Sequence, residues 1–111
     1  MTRSSVSIIG AGLCGSLLSS ILSRSGIKVT VLERQADPRT LQVAAGRSIN
    51  LVLSARGNRA LQYAGIFEHI EPLLVPMKGR LIHHEDGTTE MQPYGQRESE
   101  QIYSVSRAEL N

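Results

Sequence analysis

The feature that most constrains the fold is a glycine-rich turn between two short apolar runs near the start of the chain. The first run, 6–9, leads into Gly10, Gly12 and Gly15, and the second, 29–32, ends at Glu33. This order predicts a strand, a tight turn, a helix and a second, parallel strand. A glycine triplet alone is weak evidence, but the second strand and its terminal carboxylate agree with it, so the pattern favours a dinucleotide-binding βαβ unit.

Each position in this turn has a physical role. Gly10 would allow the sharp exit from the strand, Gly12 would leave the backbone open to a pyrophosphate, and Gly15 would let the helix pack closely on the strand. Unpaired N–H groups and the helix dipole favour an anion at the helix start. Glu33 can accept both hydroxyls of an adenosine ribose and would repel the 2′-phosphate of NADP, so the turn predicts NAD or FAD. The alternative is a βαβ unit with an empty turn.

Composition and charge argue against several other classes of function. The 111-residue chain is 41% hydrophobic and 20% charged, and its formal net charge of +2 is spread along the chain, which does not favour nucleic acid. The single Cys14 excludes an internal disulfide, and the apolar stretch 13–22 is too short to span a bilayer. Adjacent His83 and His84 would face opposite sides of a strand, so we predict no metal site. We expect a cytoplasmic protein, with no signal peptide or membrane segment within these 111 residues; a membrane anchor further along a longer chain stays open.

The middle of the chain predicts a strand followed by helices. Residues 46–53 favour a short strand, and Ala55–Ala64 favour a helix with Ser54 as its N-cap and Gly65 just past its end. Residues 66–74 predict a second helical turn, broken by its proline.

The last residues predict a strand and the start of another helix. Residues 102–105 favour a strand, and Ser106 and Glu109 match a capping box that begins a helix. Arg107 would then lie in the first helical turn, where the dipole disfavours a cation. We therefore consider Arg107 a candidate contact for a phosphate or a flavin.

Between these regions, two alternating stretches predict an antiparallel hairpin, with strands over 77–84 and 88–94. Asp86-Gly87 could form a two-residue loop, or residues 85–87 could form a three-residue loop with glycine in the left-handed position. We predict the three-residue loop.

The choice of loop decides which side chains share a face. The two-residue loop would turn Arg80 and Tyr94 to opposite faces of the hairpin. The three-residue loop places Arg80 opposite Gln92, with Tyr94 as its diagonal neighbour on the same face. We therefore expect Arg80 and Tyr94 to be able to contact one ligand together.

The later motifs resemble those of the kynurenine 3-monooxygenase family of FAD-dependent aromatic hydroxylases. Besides the glycine fingerprint, the resemblance rests on GRSINLVLSARG (46–57), PMKGRLIH (76–83), PYG (93–95) and YSVSRAELN (103–111), in that family's order and approximate spacing. It covers essentially the whole chain, but only the first part of such an enzyme. We therefore expect this chain to be the N-terminal portion of such an enzyme. On its own it should bind FAD weakly at best and catalyse no reaction.

The resemblance implies an α/β fold: the N-terminal βαβ unit of a Rossmann-like FAD-binding domain, plus part of an antiparallel substrate-domain hairpin, together an incomplete fold. The implied boundaries are 1–75 for the FAD-binding βαβ region, 76–98 for the hairpin and 99–111 for the return to the FAD-binding domain.

The resemblance also implies hydroxylation of L-kynurenine to 3-hydroxykynurenine in tryptophan catabolism, with bound FAD and with NADPH and O2 as co-substrates. The flavin carries the chemistry, so no residue is assigned as catalytic. Arg80 and Tyr94 would hold the substrate carboxylate. The implied cofactor contacts are Gly10, Ala11, Gly12, Leu13, Gly15, Glu33, Arg34, Val52 and Arg107.

Three questions stay open at this point. Arg47 could approach the flavin or cap a loop. The chain could be a stand-alone FAD- or NAD-binding module without catalysis, or part of a hydroxylase for a different aromatic acid.

Overall fold

The computed structural model describes residues 4–37, 40 and 50–111. Its elements, in chain order, are β1 (Ser5–Ile9), α1 (Leu13–Arg24), β2 (Lys28–Leu32), β3 (Asn50–Leu53), α2 (Ala55–Ala64), α3 (Phe67–Ile70), a 3-10 turn (Glu71–Leu73), β4 (Val75–Met77), β5 (Gly79–His83), β6 (Thr89–Pro93), β7 (Ile102–Ser106) and α4 (Arg107–Leu110). This is the predicted α/β fold. Residues 46–49 of the predicted third strand, and Arg47 with them, lie outside the described residues.

The first three elements form the predicted βαβ unit. Strands β1 and β2 are parallel, with Ile9 opposite Leu32, so both strands end at the same edge of their sheet. The glycine turn and Glu33 follow these two ends directly. Gly26 ends the crossover helix at a φ of +78°, a left-handed conformation that glycine adopts at no steric cost. The unit therefore brings the glycine turn and Glu33 to one edge.

A second sheet has the order β3-β7-β4, and both of its pairings are antiparallel. Met77 ends β4 and pairs with Ile102 of β7. Our prediction of one strand over 77–84 was therefore wrong, because the chain changes partner at Lys78 while the alternating pattern continues. Strand β7 extends one residue beyond the prediction, because Ser106 pairs with Asn50.

The hairpin formed by β5 and β6 has the predicted register. Arg80 lies opposite Gln92. The His84 N–H donates to the Thr88 carbonyl at 2.9 Å, and the Gly87 N–H donates to the His84 carbonyl at 3.0 Å. Gly87 has a φ of +84°. The three-residue loop is confirmed.

The helices after β3 agree with the prediction in position but not in all details. Helix α2 has the predicted bounds, and Gly65 follows it at a φ of +69°. The next α-helix ends at Ile70, before the proline. Pro72 lies within the first two positions of the 3-10 turn that continues α3, where a missing N–H costs no hydrogen bond.

Neither predicted serine cap forms a side-chain hydrogen bond. Ser54 precedes α2 and Ser106 precedes α4, both with extended backbone, and neither hydroxyl caps its helix. The capping box with Glu109 was therefore wrong. Helix α4 has a single turn, in which the Asn111 N–H donates to the Arg107 carbonyl at 3.2 Å.

The described core is small and lies between α2 and the second sheet, where Leu53, Leu61 and Val105 are buried together. At the end of the βαβ unit, by contrast, Ile9 is 88% exposed and Leu32 is 56% exposed. None of the helices in these ranges is long and apolar enough to cross a membrane.

Candidate functional site

The glycine turn has the geometry that its sequence predicts. The Gly10 N–H donates to the Leu32 carbonyl at 2.7 Å, and Gly10 has a φ of +99°. A Cβ on Gly15 would lie 1.9 Å from the Gly10 carbonyl oxygen, so only glycine fits at the start of α1. A Cβ on Gly12 would have no atom within 4 Å. The turn therefore needs glycine at Gly10 for its left-handed backbone and at Gly15 for lack of space, and it is open at Gly12.

Glu33 is tied to this turn through its carboxylate. Oε2 accepts the Ala11 N–H at 2.7 Å, and Oε1 accepts the Gln35 N–H at 2.7 Å. Donation from Gln35, and next from Ala11, lowers the pKa of Glu33 from its ordinary value of 4.5. The carboxylate is exposed and ionised at neutral pH. Since each oxygen keeps a second lone pair, it can still accept hydrogen bonds from a ribose.

Two residues that sequence reasoning missed also hold the turn. The Ala11 carbonyl accepts the Ser16 hydroxyl at 3.0 Å and the Asn111 side-chain amide at 2.9 Å. Ser16 could have been found from its place directly after Gly15, at the start of the helix. Asn111 could not, because 100 residues separate it from its partner.

The other predicted cofactor contacts lie on several different elements of the fold. Leu13 is the first residue of α1, and Arg34 follows Glu33 and lowers its pKa further through its charge. Arg107 is exposed at the start of α4. Asn111 follows this helix and connects it to the turn through its hydrogen bond to the Ala11 carbonyl. Val52 lies in the second sheet, on β3, and is 61% exposed.

The predicted substrate residues lie on one face of the hairpin. The hairpin strands form a sheet of their own and do not pair with the strands of the βαβ unit. The Arg80 Nε donates to the Gln92 Oε1 at 2.5 Å. Tyr94 continues β6 by donating its backbone N–H to the Lys78 carbonyl at 2.9 Å, and its side chain is 46% exposed. Gln92 therefore holds the guanidinium at its inner nitrogen and leaves the two terminal nitrogens free to form a fork with a carboxylate. Sequence reasoning placed Gln92 opposite Arg80 but gave it no role.

The loop after Tyr94 folds back tightly on itself. A Cβ on Gly95 would lie 2.2 Å from the Cβ of Glu100, and the Glu100 carboxylate accepts the Gln96 N–H at 2.8 Å. This closure fixes the chain direction immediately after the tyrosine.

Comparison with known proteins agrees with this geometry. A family model described as FAD binding domain matches residues 3–110. The chain is 48% identical over 107 residues to a kynurenine 3-monooxygenase of Stenotrophomonas maltophilia, which covers 96% of this chain and 24% of that protein. It is 46% identical over 111 residues to a kynurenine 3-monooxygenase of Xanthomonas axonopodis pv. citri, which covers 100% and 24%.

A solved structure extends the likeness to the fold. The crystal structure of a protein from Photorhabdus luminescens, assigned as an FAD-containing monooxygenase, superposes with a TM-score of 0.69 at 28% identity. The match covers 96% of this chain and 26% of that one. The chain thus spans about a quarter of the length of the relatives that it matches.

Proposed function

The chain belongs to the FAD-binding-domain family, and from this premise we propose that it forms the cofactor-binding part of a monooxygenase. The proposed reaction is hydroxylation of L-kynurenine to 3-hydroxykynurenine, with NADPH and O2 as co-substrates. The relatives named kynurenine 3-monooxygenase, at 48% and 46% identity, support this substrate.

The observation that carries the proposal is the open glycine turn beside an ionised carboxylate at one sheet edge. Gly12 and the first N–H groups of α1 would hold the pyrophosphate, because the backbone there is uncovered and the helix dipole favours an anion. Glu33 would accept the ribose hydroxyls. Leu13, Arg34, Val52 and Arg107 are proposed as further cofactor contacts on the family resemblance. Bound FAD would supply the redox and oxygen-activating chemistry.

The substrate site of this proposal lies on the Arg80 face of the hairpin. Arg80 would bind the substrate carboxylate through its terminal nitrogens, and the Tyr94 hydroxyl would donate one further hydrogen bond. The Gln92 contact supports this role, because a guanidinium that is already oriented loses less side-chain entropy when it binds. NADPH is proposed as a transient reductant that binds elsewhere, since Glu33 would repel a 2′-phosphate.

The decisive experiment measures NADPH oxidation by the full-length protein loaded with FAD, with and without L-kynurenine, and identifies the product by mass spectrometry. We expect kynurenine to stimulate oxidation and 3-hydroxykynurenine to accumulate. Stimulation only by another aromatic acid would refute the substrate. Tight FAD binding without stimulation by any aromatic acid would refute the reaction and identify a binding module.

A further inference from the structure

We propose that Asn111 and Ser16 are positioning residues, which together hold the glycine turn in its phosphate-binding conformation by gripping the Ala11 carbonyl. This proposal deepens the proposed function and rests on the binding of FAD at this turn. Neither residue needs to touch the cofactor.

Two side chains donate to one acceptor in the glycine turn. The Ala11 carbonyl oxygen accepts the Asn111 Nδ2 at 2.9 Å and the Ser16 Oγ at 3.0 Å. A carbonyl oxygen has two lone pairs, so these two side chains saturate it. One donor comes from the helix that the turn begins, and the other from the far end of the described chain. The carbonyl is therefore held from two independent elements.

The planar peptide group links the Ala11 carbonyl to the next N–H. The Ala11 carbonyl and the Gly12 N–H belong to the same planar trans peptide and point in opposite directions. Fixing the carbonyl therefore fixes the N–H. Among the described residues the Gly12 N–H donates to no acceptor, and a Cβ on Gly12 would have no atom within 4 Å. The Asn111 and Ser16 side chains, together called the clamp, thus direct a free donor out of the turn, toward the proposed position of the pyrophosphate.

The clamp also connects several of the proposed cofactor contacts. The Ala11 N–H donates to the Glu33 carboxylate at 2.7 Å. Both peptide groups of Ala11 are therefore fixed: the preceding one contacts Glu33, the proposed ribose contact, and the following one carries the Gly12 N–H, the proposed phosphate contact. The Asn111 backbone N–H donates to the Arg107 carbonyl at 3.2 Å. The same asparagine therefore fixes the end of the arginine-bearing helix against the turn.

The test measures the FAD dissociation constant of the full-length apoprotein by quenching of flavin fluorescence, together with the apoprotein melting temperature. Asn111→Asp is the sharpest variant, because it keeps the shape of the side chain but loses the donor. We expect Asn111→Ala and Ser16→Ala each to weaken FAD binding by about three- to tenfold, the effect of one hydrogen bond, and Asn111→Asp to weaken it further, because its carboxylate also repels the Ala11 carbonyl oxygen and the pyrophosphate. Gln62→Glu, at an exposed position of α2, makes the same amide-to-acid change as a control and should bind FAD like the wild type.

The double variant adds a readout that a merely structural role would not give. Each single variant leaves one donor on the carbonyl, whereas Ser16→Ala with Asn111→Ala leaves none, so the double variant should weaken FAD binding by more than the product of the single effects. Wild-type affinity in Asn111→Asp, or a lower apoprotein melting temperature without a change in FAD affinity, would overturn the clamp and leave the proposed function intact. Absence of FAD binding by the wild-type protein would overturn the proposed function and the clamp with it.

Discussion

Replacement of Gly15 by alanine tests the closest contact in the glycine turn. The new Cβ would lie 1.9 Å from the Gly10 carbonyl oxygen and 3.0 Å from its carbon, so α1 has to move away from β1 by about 1.5 Å to restore ordinary contact. Alanine in a helix is favoured over glycine by about 1 kcal/mol, whereas overpacking costs about 1–3 kcal/mol or more. The upper end applies here, because the opposing atoms are backbone and cannot turn aside. We expect a net loss of about 2 kcal/mol in the free energy of unfolding.

The assay is urea denaturation of the full-length apoprotein followed by circular dichroism, with FAD affinity measured in parallel. Gly12→Ala is the matched control: Gly12 has a φ of −71° and open space around it, so the fold should accept the methyl group while FAD binding falls. Gly15→Ala should lose both stability and FAD affinity. Wild-type stability in Gly15→Ala would refute the argument that the close approach requires glycine.

Three further changes separate the remaining roles. Glu33 has a lowered pKa, so its contacts stabilise the fold above pH 4.5 and are lost as the pH falls below that value; Glu33→Gln should flatten this part of the pH–stability curve, and an unchanged curve would contradict the assignment. Arg24→Ala removes the guanidinium that donates to the Ala64 carbonyl, and should cost about 1 kcal/mol of unfolding free energy without altering FAD affinity, in contrast to the glycine variants. Arg80→Ala should raise the KM for kynurenine by about 10- to 100-fold, the effect of a lost charge-assisted pair, while FAD affinity stays constant; an equal loss of both would show that Arg80 is structural.

The features that the sequence predicted best are those that follow from local rules. The glycine turn was predictable because Gly10 has a φ of +99°, which favours glycine, and Gly15 has no room for a side chain. The hairpin register was predictable because a left-handed Gly87 selects a three-residue loop, and that loop determines the pairing. In each case the interacting groups are neighbours in the chain, so spacing carries the information.

The features that the sequence could not predict depend on partners distant in the chain. Met77 was placed in the wrong strand because its partner, Ile102, belongs to a strand 25 residues further on, and alternation alone does not identify a partner. The contact of Asn111 with Ala11 gives no signal at all in spacing or composition. The absent capping box at Ser106 shows the converse, since a matching motif does not by itself form its hydrogen bond, and Ser54 before the longer helix α2 forms none either.

The hairpin loop at residues 85–87 has a consequence for how this region can vary. Side chains alternate along a strand with a period of two, so one residue removed from the loop would move every side chain of one strand to the other side of the ribbon. The guanidinium of Arg80 would then no longer share a side with Tyr94. Asp86 holds the loop by accepting the Thr88 N–H at 2.9 Å and the Thr88 hydroxyl at 2.6 Å, so its replacement would weaken the loop but keep its length. An insertion or deletion of one residue there would change the register and would be more harmful than most substitutions in the hairpin itself.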